Sequence, residues 1–103
     1  MKRAAAAVRL DLNSPVFQRQ LFHLEKQKQR AVLSSLRKLS EMTWDEVYAD
    51  PGLRWEAIIS RIGPDGGRLY TLRLGRGFRA VAFRDGDWLR LLTLHPAHDS
   101  AYR

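Results

Sequence analysis

The sequence lacks cysteine, which excludes both a disulfide framework and a metal site built from thiolates. This composition fits a reducing compartment, and we expect the protein to be cytoplasmic. The sequence also has no apolar run close to the ~20 residues that a membrane-spanning helix needs. Its first residues imitate the start of a secretory signal, but Arg9 and Asp11 interrupt them before the apolar stretch is long enough.

Acidic residues are scarce: 11 Asp and Glu stand against 18 Lys and Arg, which gives a net charge of +7. Such a balance favours an acidic partner, and nucleic acid, an anionic membrane and an acidic protein all qualify. Every cation after Lys38 is an arginine, and four of them lie within residues 68–79 with no acid between them. Compositional bias explains any single arginine as readily as a function does, so the cluster is the stronger evidence.

The first half of the sequence predicts a strand followed by helices. Apolar and polar residues alternate over residues 8–12, as in a half-buried strand. Asn13 or Ser14 as N-cap, followed by Pro15, marks a helix start. Two apolar stripes at helical spacing follow: Phe17, Leu21 and Leu24, and then Val32, Leu36 and Leu39. The polar residues 25–30 between them are either a turn or an exposed helical stretch. We favour two helices packed as a hairpin, because one long helix would overhang so small a core.

The second half predicts strands. Thr43 and Glu46 have the spacing of a capping box, so a short helical turn is expected before the Asp-Pro-Gly at residues 50–52. Four strand candidates follow, at residues 54–62, 69–74, 78–84 and 88–94, and their short connections imply antiparallel neighbours. We therefore expect a single α+β domain over residues 1–103. It has an N-terminal strand, a helical hairpin and an antiparallel β-meander of three to four strands, with helices on one sheet face and the other face at least partly open.

The last third of the chain gathers residues that suit RNA cleavage. Attack of an RNA 2′-hydroxyl on its own phosphate needs a base, positive charge on the phosphorane and an acid for the leaving 5′-oxygen. Arg73 and Arg79 can supply the charge, because positions on adjacent antiparallel strands can share a face. His98 or His95 is the acid–base candidate, and Tyr102 can share that role or stack on a base.

Further residues have weaker claims. Glu56 is a candidate carboxylate base, although a glutamate on a strand is usually just solvated. Four more cations are candidates for binding the RNA backbone: Arg68, Arg76, Lys26 and Lys28. Trp44, Trp55 and Trp88 can stack on bases, but tryptophan in a small domain is most often core. We expect His23, on the first helix, to be peripheral.

The histidines and the tyrosine of the tail also fit structural roles. His95 can hydrogen-bond a neighbouring loop, His98 with Asp99 can cap a turn, and Tyr102 can pack on the sheet edge. His95, His98 and Asp99 can in principle bind a metal. A loop that contains proline is unlike the helical two-histidine signature, however, so we expect no metal and no cofactor.

The order of elements and three segments resemble the RelE/ParE superfamily of bacterial toxins from type II toxin–antitoxin modules. The segments are 70–74 (Tyr-Thr-Leu-Arg-Leu), 77–81 (Gly-Phe-Arg-Ala-Val) and 92–102, which look like the last strands and tail of these toxins. The resemblance implies a ribosome-dependent, metal-independent endoribonuclease that cuts messenger RNA. It also implies three partners, the ribosome, messenger RNA and a cognate antitoxin, with a heterotetramer or a higher toxin–antitoxin complex and no membrane.

The resemblance further implies roles for four residues. Arg79 matches the arginine on the penultimate strand that meets the phosphate at the cut, and Arg73 matches a basic position on the preceding strand. Tyr102 stands where many members have a C-terminal tyrosine, and His98 lies near a basic residue that follows the last strand. Two other functions stay open. A ParE-like inhibitor of DNA gyrase needs no histidine, and a regulatory RNA-binding protein of the same fold needs no catalysis.

Overall fold

The computed structural model describes residues 6–64 and 66–97, and within them the chain forms three helices and five strands. In chain order these are β1 (Arg9–Asp11), α1 (Pro15–Phe22), α2 (Lys26–Ser40), α3 (Trp44–Ala49), β2 (Glu56–Ile62), β3 (Arg68–Arg73), β4 (Phe78–Asp85) and β5 (Trp88–Pro96). The predicted α+β class is confirmed, with a strand and helices ahead of a four-stranded meander. None of the helices in the described part of the chain is long and apolar enough to cross a membrane.

The strands form one mixed sheet in the order β1-β5-β4-β3-β2. β2, β3, β4 and β5 pair as antiparallel neighbours, as their short connections predict. β1 instead runs parallel to β5, with Leu10 opposite Leu89, although these strands lie at opposite ends of the described chain. β1 and β2 are therefore the two edges of the sheet.

Local capping decides where the helices begin. Ser14 Oγ accepts a hydrogen bond from the Phe17 amide at 3.2 Å, and Pro15 takes the first position of α1, where its missing N–H costs nothing. Thr43 and Glu46 form the predicted capping box at the start of α3. α2 begins directly after residue 25, so the polar residues 26–30 are the largely exposed first turns of a helix and not a loop.

The main core lies between the helices and one face of the sheet. Phe17 from α1, Val32 and Leu39 from α2 and Trp44 from α3 are buried there, none more than 2% exposed. β3, β4 and β5 supply the opposite wall with apolar side chains such as Leu72. The helical stripes predicted from the sequence are therefore the surfaces that face the sheet.

The three tryptophans have different surroundings. Trp44 is a core residue, as expected, and its Nε1 donates to the Asp87 carbonyl at 3.0 Å. Trp55 and Trp88 are only half-buried. Trp55 stacks on Tyr70, with ring centroids 4.6 Å apart, so its ring already has an aromatic partner within the protein.

The other face of the sheet, called the second face below, carries its own apolar cluster. Ile58, Leu69, Val81 and Phe83 are buried there, and Leu92 packs against them. The prediction that this face is at least partly open therefore holds only at its rim, where charged side chains are exposed. Its middle is buried, because a sheet face with alternating apolar residues does not remain in water when they can cluster.

Charged side chains hold β1 against β5. Arg90 on β5 donates to Asp11 Oδ2 at 2.6 Å and to Asp85 Oδ2 at 2.9 Å, so it joins β1 and β5 to the end of β4. Burial raises the pKa of Asp11, but hydrogen bonds from Arg90 and Asn13 outweigh it and leave that pKa below its ordinary value of 3.8.

The turn between β3 and β4 lies so close to α2 that residue 75 has to be glycine. Gly75 has a φ of +70°, and a Cβ at this position would lie 3.0 Å from the backbone carbon of Ala31. Its N–H also donates to Ser35 Oγ at 2.6 Å. The turn is thus attached to the helix by one hydrogen bond and by direct backbone packing.

We expect Asp11→Asn to lower the free energy of unfolding at neutral pH and to flatten its decline in acid. Because the folded-state pKa of Asp11 is depressed, the carboxylate stabilises the fold above its unfolded-state pKa. This contribution is lost as the pH falls through the folded-state pKa. Urea unfolding measured between about pH 7 and pH 2 tests it, with the exposed Glu41→Gln as control. A deficit that does not shrink in acid would contradict the prediction.

Gly75→Ala should lower the free energy of unfolding by about 2–4 kcal/mol, since it combines left-handed backbone strain with overpacking against α2. Gly77→Ala is the matched control, because Gly77 has a φ of +86° but open space around a Cβ. It should lose only the strain, about 1–2 kcal/mol. Urea denaturation of both variants separates the two effects, and equal losses would show that α2 shifts away at no cost.

Candidate active site

Three of the candidate residues form one row across the second face. The register places Arg73 on β3 opposite Arg79 on β4, and Arg79 opposite His95 on β5. Residues that are directly opposite on antiparallel strands have Cβ atoms about 4.5–5.5 Å apart and point to the same face. The fold therefore brings together two guanidinium groups and an imidazole that the sequence separates by up to 22 positions.

Arg79 is the buried member of the row, with 6% of its surface exposed. Its Nη2 donates to Thr71 Oγ1 at 2.7 Å and to the carbonyl of Arg54 at 3.2 Å, and lies 3.5 Å from Glu56 Oε1. A guanidinium keeps its charge at any physiological pH, so burial requires acceptors of this kind. Arg79 is thus a fixed positive charge beneath the surface and not a mobile side chain.

Glu56 is the carboxylate that the fold adds to this group. It lies on β2 opposite Thr71, and its side chain is 47% exposed. One oxygen faces Arg79, and the other lies 3.8 Å from Arg54 Nη2. The sequence suggested Glu56 only weakly as a base, because nothing local distinguishes it from a solvated strand glutamate. Its contact with the buried arginine is the signal that sequence spacing could not supply.

The backbone carbonyl of Arg54 accepts a hydrogen bond from the Arg79 side chain. Arg54 has a φ of +51°, the only positive value of a non-glycine residue among those that the structure describes. This left-handed conformation is unfavourable for a side chain larger than glycine and is usually retained where surrounding contacts demand it. Here it directs a carbonyl oxygen at the guanidinium.

A β-bulge in β5 decides which way His95 points. Val81 pairs with Thr93 but Ala82 pairs with Leu91, so Leu92 is an extra residue in β5. Before the bulge, Leu91 faces the main core, and after it Leu94 does. The bulge therefore shifts the alternation by one residue and places the side chain of His95 on the second face.

His95 is half-buried and shares the second face with Thr93 two residues earlier on the same strand. Its Nε2 lies 2.8 Å from Thr93 Oγ1, which orients the ring. This contact lies within β5 itself, and the alternative role, a hydrogen bond from His95 to a neighbouring loop, stays a prediction.

The other candidates lie elsewhere or outside the described residues. Arg68 and Arg73 stand at the two ends of β3, about 17 Å apart at the usual rise of a strand. Lys26 and Lys28 are exposed in the first turns of α2, and Lys28 Nζ lies 3.9 Å from Glu25. Arg76 is exposed on the β3–β4 turn, beside the row.

The tail candidates His98 and Tyr102, with Asp99, lie outside the described residues. Their roles stay predictions. Among the residues that the structure does describe, no group of three or more His, Cys, Asp or Glu side chains is arranged to hold a metal ion. His23 is exposed at the end of α1, in agreement with its expected peripheral position.

No family model matches the chain, and no curated protein matches it. The geometry on the second face and the sequence resemblance are therefore the grounds on which a function can be proposed.

We expect Thr71→Val to destabilise the protein by about 1–3 kcal/mol, because it removes an acceptor from a buried guanidinium while keeping the side-chain shape. Thr71→Ser retains the hydroxyl and should lose less, about the contribution of one methyl group. Urea unfolding of both variants measures the difference. A valine variant as stable as the wild type would mean that Arg79 does not depend on this hydroxyl.

Proposed function

We propose that this protein is the RelE-like toxin of a type II toxin–antitoxin module, and that it inhibits translation by cutting messenger RNA on the ribosome. The observation that carries the proposal is the row of Arg73, Arg79 and His95 with Glu56 beside it. A carboxylate, two guanidinium groups and an imidazole on four consecutive strands of the sheet match the base, charge and acid that RNA needs to cut itself through its 2′-hydroxyl.

The first half of the reaction uses the carboxylate and the cations. Glu56, whose side chain is about half exposed, takes the proton from the 2′-hydroxyl, and the 2′-oxygen attacks the adjacent phosphorus. Arg73, which is exposed, contacts the phosphate and balances the charge of the phosphorane. Arg79 is too buried for that contact to be its main task. It holds Glu56 in position and adds fixed positive charge beneath the phosphate.

The second half transfers a proton to the leaving group. The bond from phosphorus to the 5′-oxygen breaks, and His95 gives that oxygen a proton. The products are a 2′,3′-cyclic phosphate and a free 5′-hydroxyl, so every proton has a donor and an acceptor in the protein. His98 and Tyr102 are the alternative donors predicted from the sequence for the same step.

The proposal includes partners as well as chemistry. The ribosome presents the messenger RNA. An antitoxin covers the arginine-rich surface around the candidate site until the antitoxin dissociates. Because that surface carries an excess of arginine, the antitoxin should be acidic or provide an amphipathic segment, in a heterotetramer or a larger complex. Both the target and the antitoxin place the protein in the cytoplasm.

We expect Glu56→Gln and Arg73→Ala each to reduce translation-dependent transcript cleavage by about 10²–10⁴-fold, as is usual when a catalytic proton acceptor or charge is removed. His95→Gln and His98→Ala, compared side by side, identify the proton donor. Arg19→Ala, which removes an exposed arginine of α1, is the matched control and should cut as the wild type does.

Cleavage mapped by primer extension in expressing cells, together with growth arrest, gives the result. Growth arrest that persists in the Glu56, Arg73 and histidine variants would refute the nuclease proposal. Inhibition of DNA gyrase supercoiling by those same variants would then establish the ParE-like function instead. Circular dichroism of each purified variant shows that the loss is not due to unfolding.

A further inference from the structure

A basic cleft lies where the β3–β4 turn meets α2, at the end of the row of site residues. Its volume is about 390 Å³, and it is lined by Ser35 and Lys38 from α2, the turn at Gly52 and Leu53, and Arg73 and Arg76. Arg73 belongs both to this cleft and to the row opposite Arg79. The cleft therefore adjoins the candidate active site at Arg73.

The cleft is built from rigid parts. Gly75 is packed on the backbone of Ala31 and donates to Ser35 Oγ at 2.6 Å, which fixes one side of the turn to α2. On the other side, the Ala97 amide donates to the Gly77 carbonyl at 2.6 Å. Because Ser35 Oγ accepts from Gly75, the hydroxyl proton is left to donate to a ligand in the cleft.

The side chains that line the cleft carry positive charge. Among the described residues that line the cleft, Lys38, Arg73 and Arg76 contribute three cations and none is acidic. The carboxylate of Asp50 lies beside this lining, with its Oδ2 3.0 Å from Lys38 Nζ. The hydrogen bond from Lys38 lowers the pKa of Asp50, and the amides of Gly52 and Leu53 lower it further against the effect of burial.

Asp50 is thus occupied by Lys38 and by the amide of Gly52, and it orients that lysine. The remaining positive charge and the hydroxyl donor suit an oxyanion. Among the described lining residues only Leu53 and Ala97 offer apolar side chains, so an apolar ligand is not favoured. The three cations and the shared Arg73 both favour a chain of phosphates.

We propose that this cleft binds a phosphodiester of the RNA strand next to the one that is cut. The assignment rests on the proposed nuclease function, which it deepens by naming a second phosphate subsite. Arg76 and Lys38 contact the neighbouring phosphate, while Arg73 lies between the two phosphates and sets the direction in which the strand runs across the protein. Arg68 stands at the other end of β3, away from this cleft.

Binding of a short single-stranded RNA with 2′-O-methyl groups throughout, which cannot be cut, tests the subsite. Fluorescence anisotropy across a salt series should show Arg76→Ala binding about fivefold more weakly, with the salt slope reduced by about 0.7 for one lost phosphate contact. Arg19→Ala, which removes an exposed arginine of α1, is the matched control and should show neither change. In ¹⁵N spectra the amides of Gly75 and Gly77 should shift on addition of the RNA.

Asp50→Asn should change the RNA affinity in the direction opposite to Arg76→Ala. It removes the negative charge beside Lys38 and should tighten RNA binding about threefold, a gain that misfolding cannot produce. If the wild-type protein cuts messenger RNA but Arg76→Ala and Asp50→Asn both bind the RNA with unchanged affinity, the subsite is wrong and the nuclease function stands.

Two further outcomes separate the alternatives. RNA affinity that depends on Arg76 in a protein that does not cut would support the subsite and refute the nuclease function. Polyglutamate tested at equal charge should bind far more weakly than the RNA. If it shifts the same glycine amides with equal affinity, the cleft takes an acidic polypeptide and the RNA assignment is wrong.

Discussion

A buried positive charge that needs acceptors is the constraint on which the second face depends. Arg79 lies in the middle of the sheet, and its acceptors come from β3 and from the segment that leads into β2. These contacts fix the two strands relative to β4 and, through Glu56, also arrange the candidate site. The same guanidinium therefore joins the strands and orients the candidate site, and the strained backbone at Arg54 is stabilised by the contact that it makes possible.

Most of the elements could be predicted because their signals are local. Ser14 with Pro15, and Thr43 with Glu46, mark helix starts through contacts that span three residues, so the sequence alone contains the whole interaction. The helical stripes and the short turns of the meander are local in the same sense. The polar stretch at residues 25–30, which the sequence left undecided, is the N-cap and the first turns of α2, which begins ahead of its apolar stripe.

The remaining features depend on contacts between distant residues. The bulge at Leu92 reverses which side chains of β5 face the core, and the adjacent leucines at 91 and 92 are its only trace in the sequence. The burial of Arg79 and its contact with Glu56 join three strands. For the candidate site, the sequence therefore named Arg73, Arg79 and His95, which the fold sets in one row, whereas the contact of Glu56 with Arg79 became visible only in three dimensions.

The pairing of β1 with β5 constrains the order in which the elements of the protein can fold. β1 is synthesised first, yet its hydrogen-bonding neighbour is the last strand of the described chain, and a parallel pair cannot form through a local hairpin. While the chain emerges from the ribosome, β1 has no neighbouring strand until β5 follows, although the residues just before it can already bond to Met42 and Trp44. His95 lies on β5 as well, so the row of candidate site residues and the five-stranded sheet are completed in the same step.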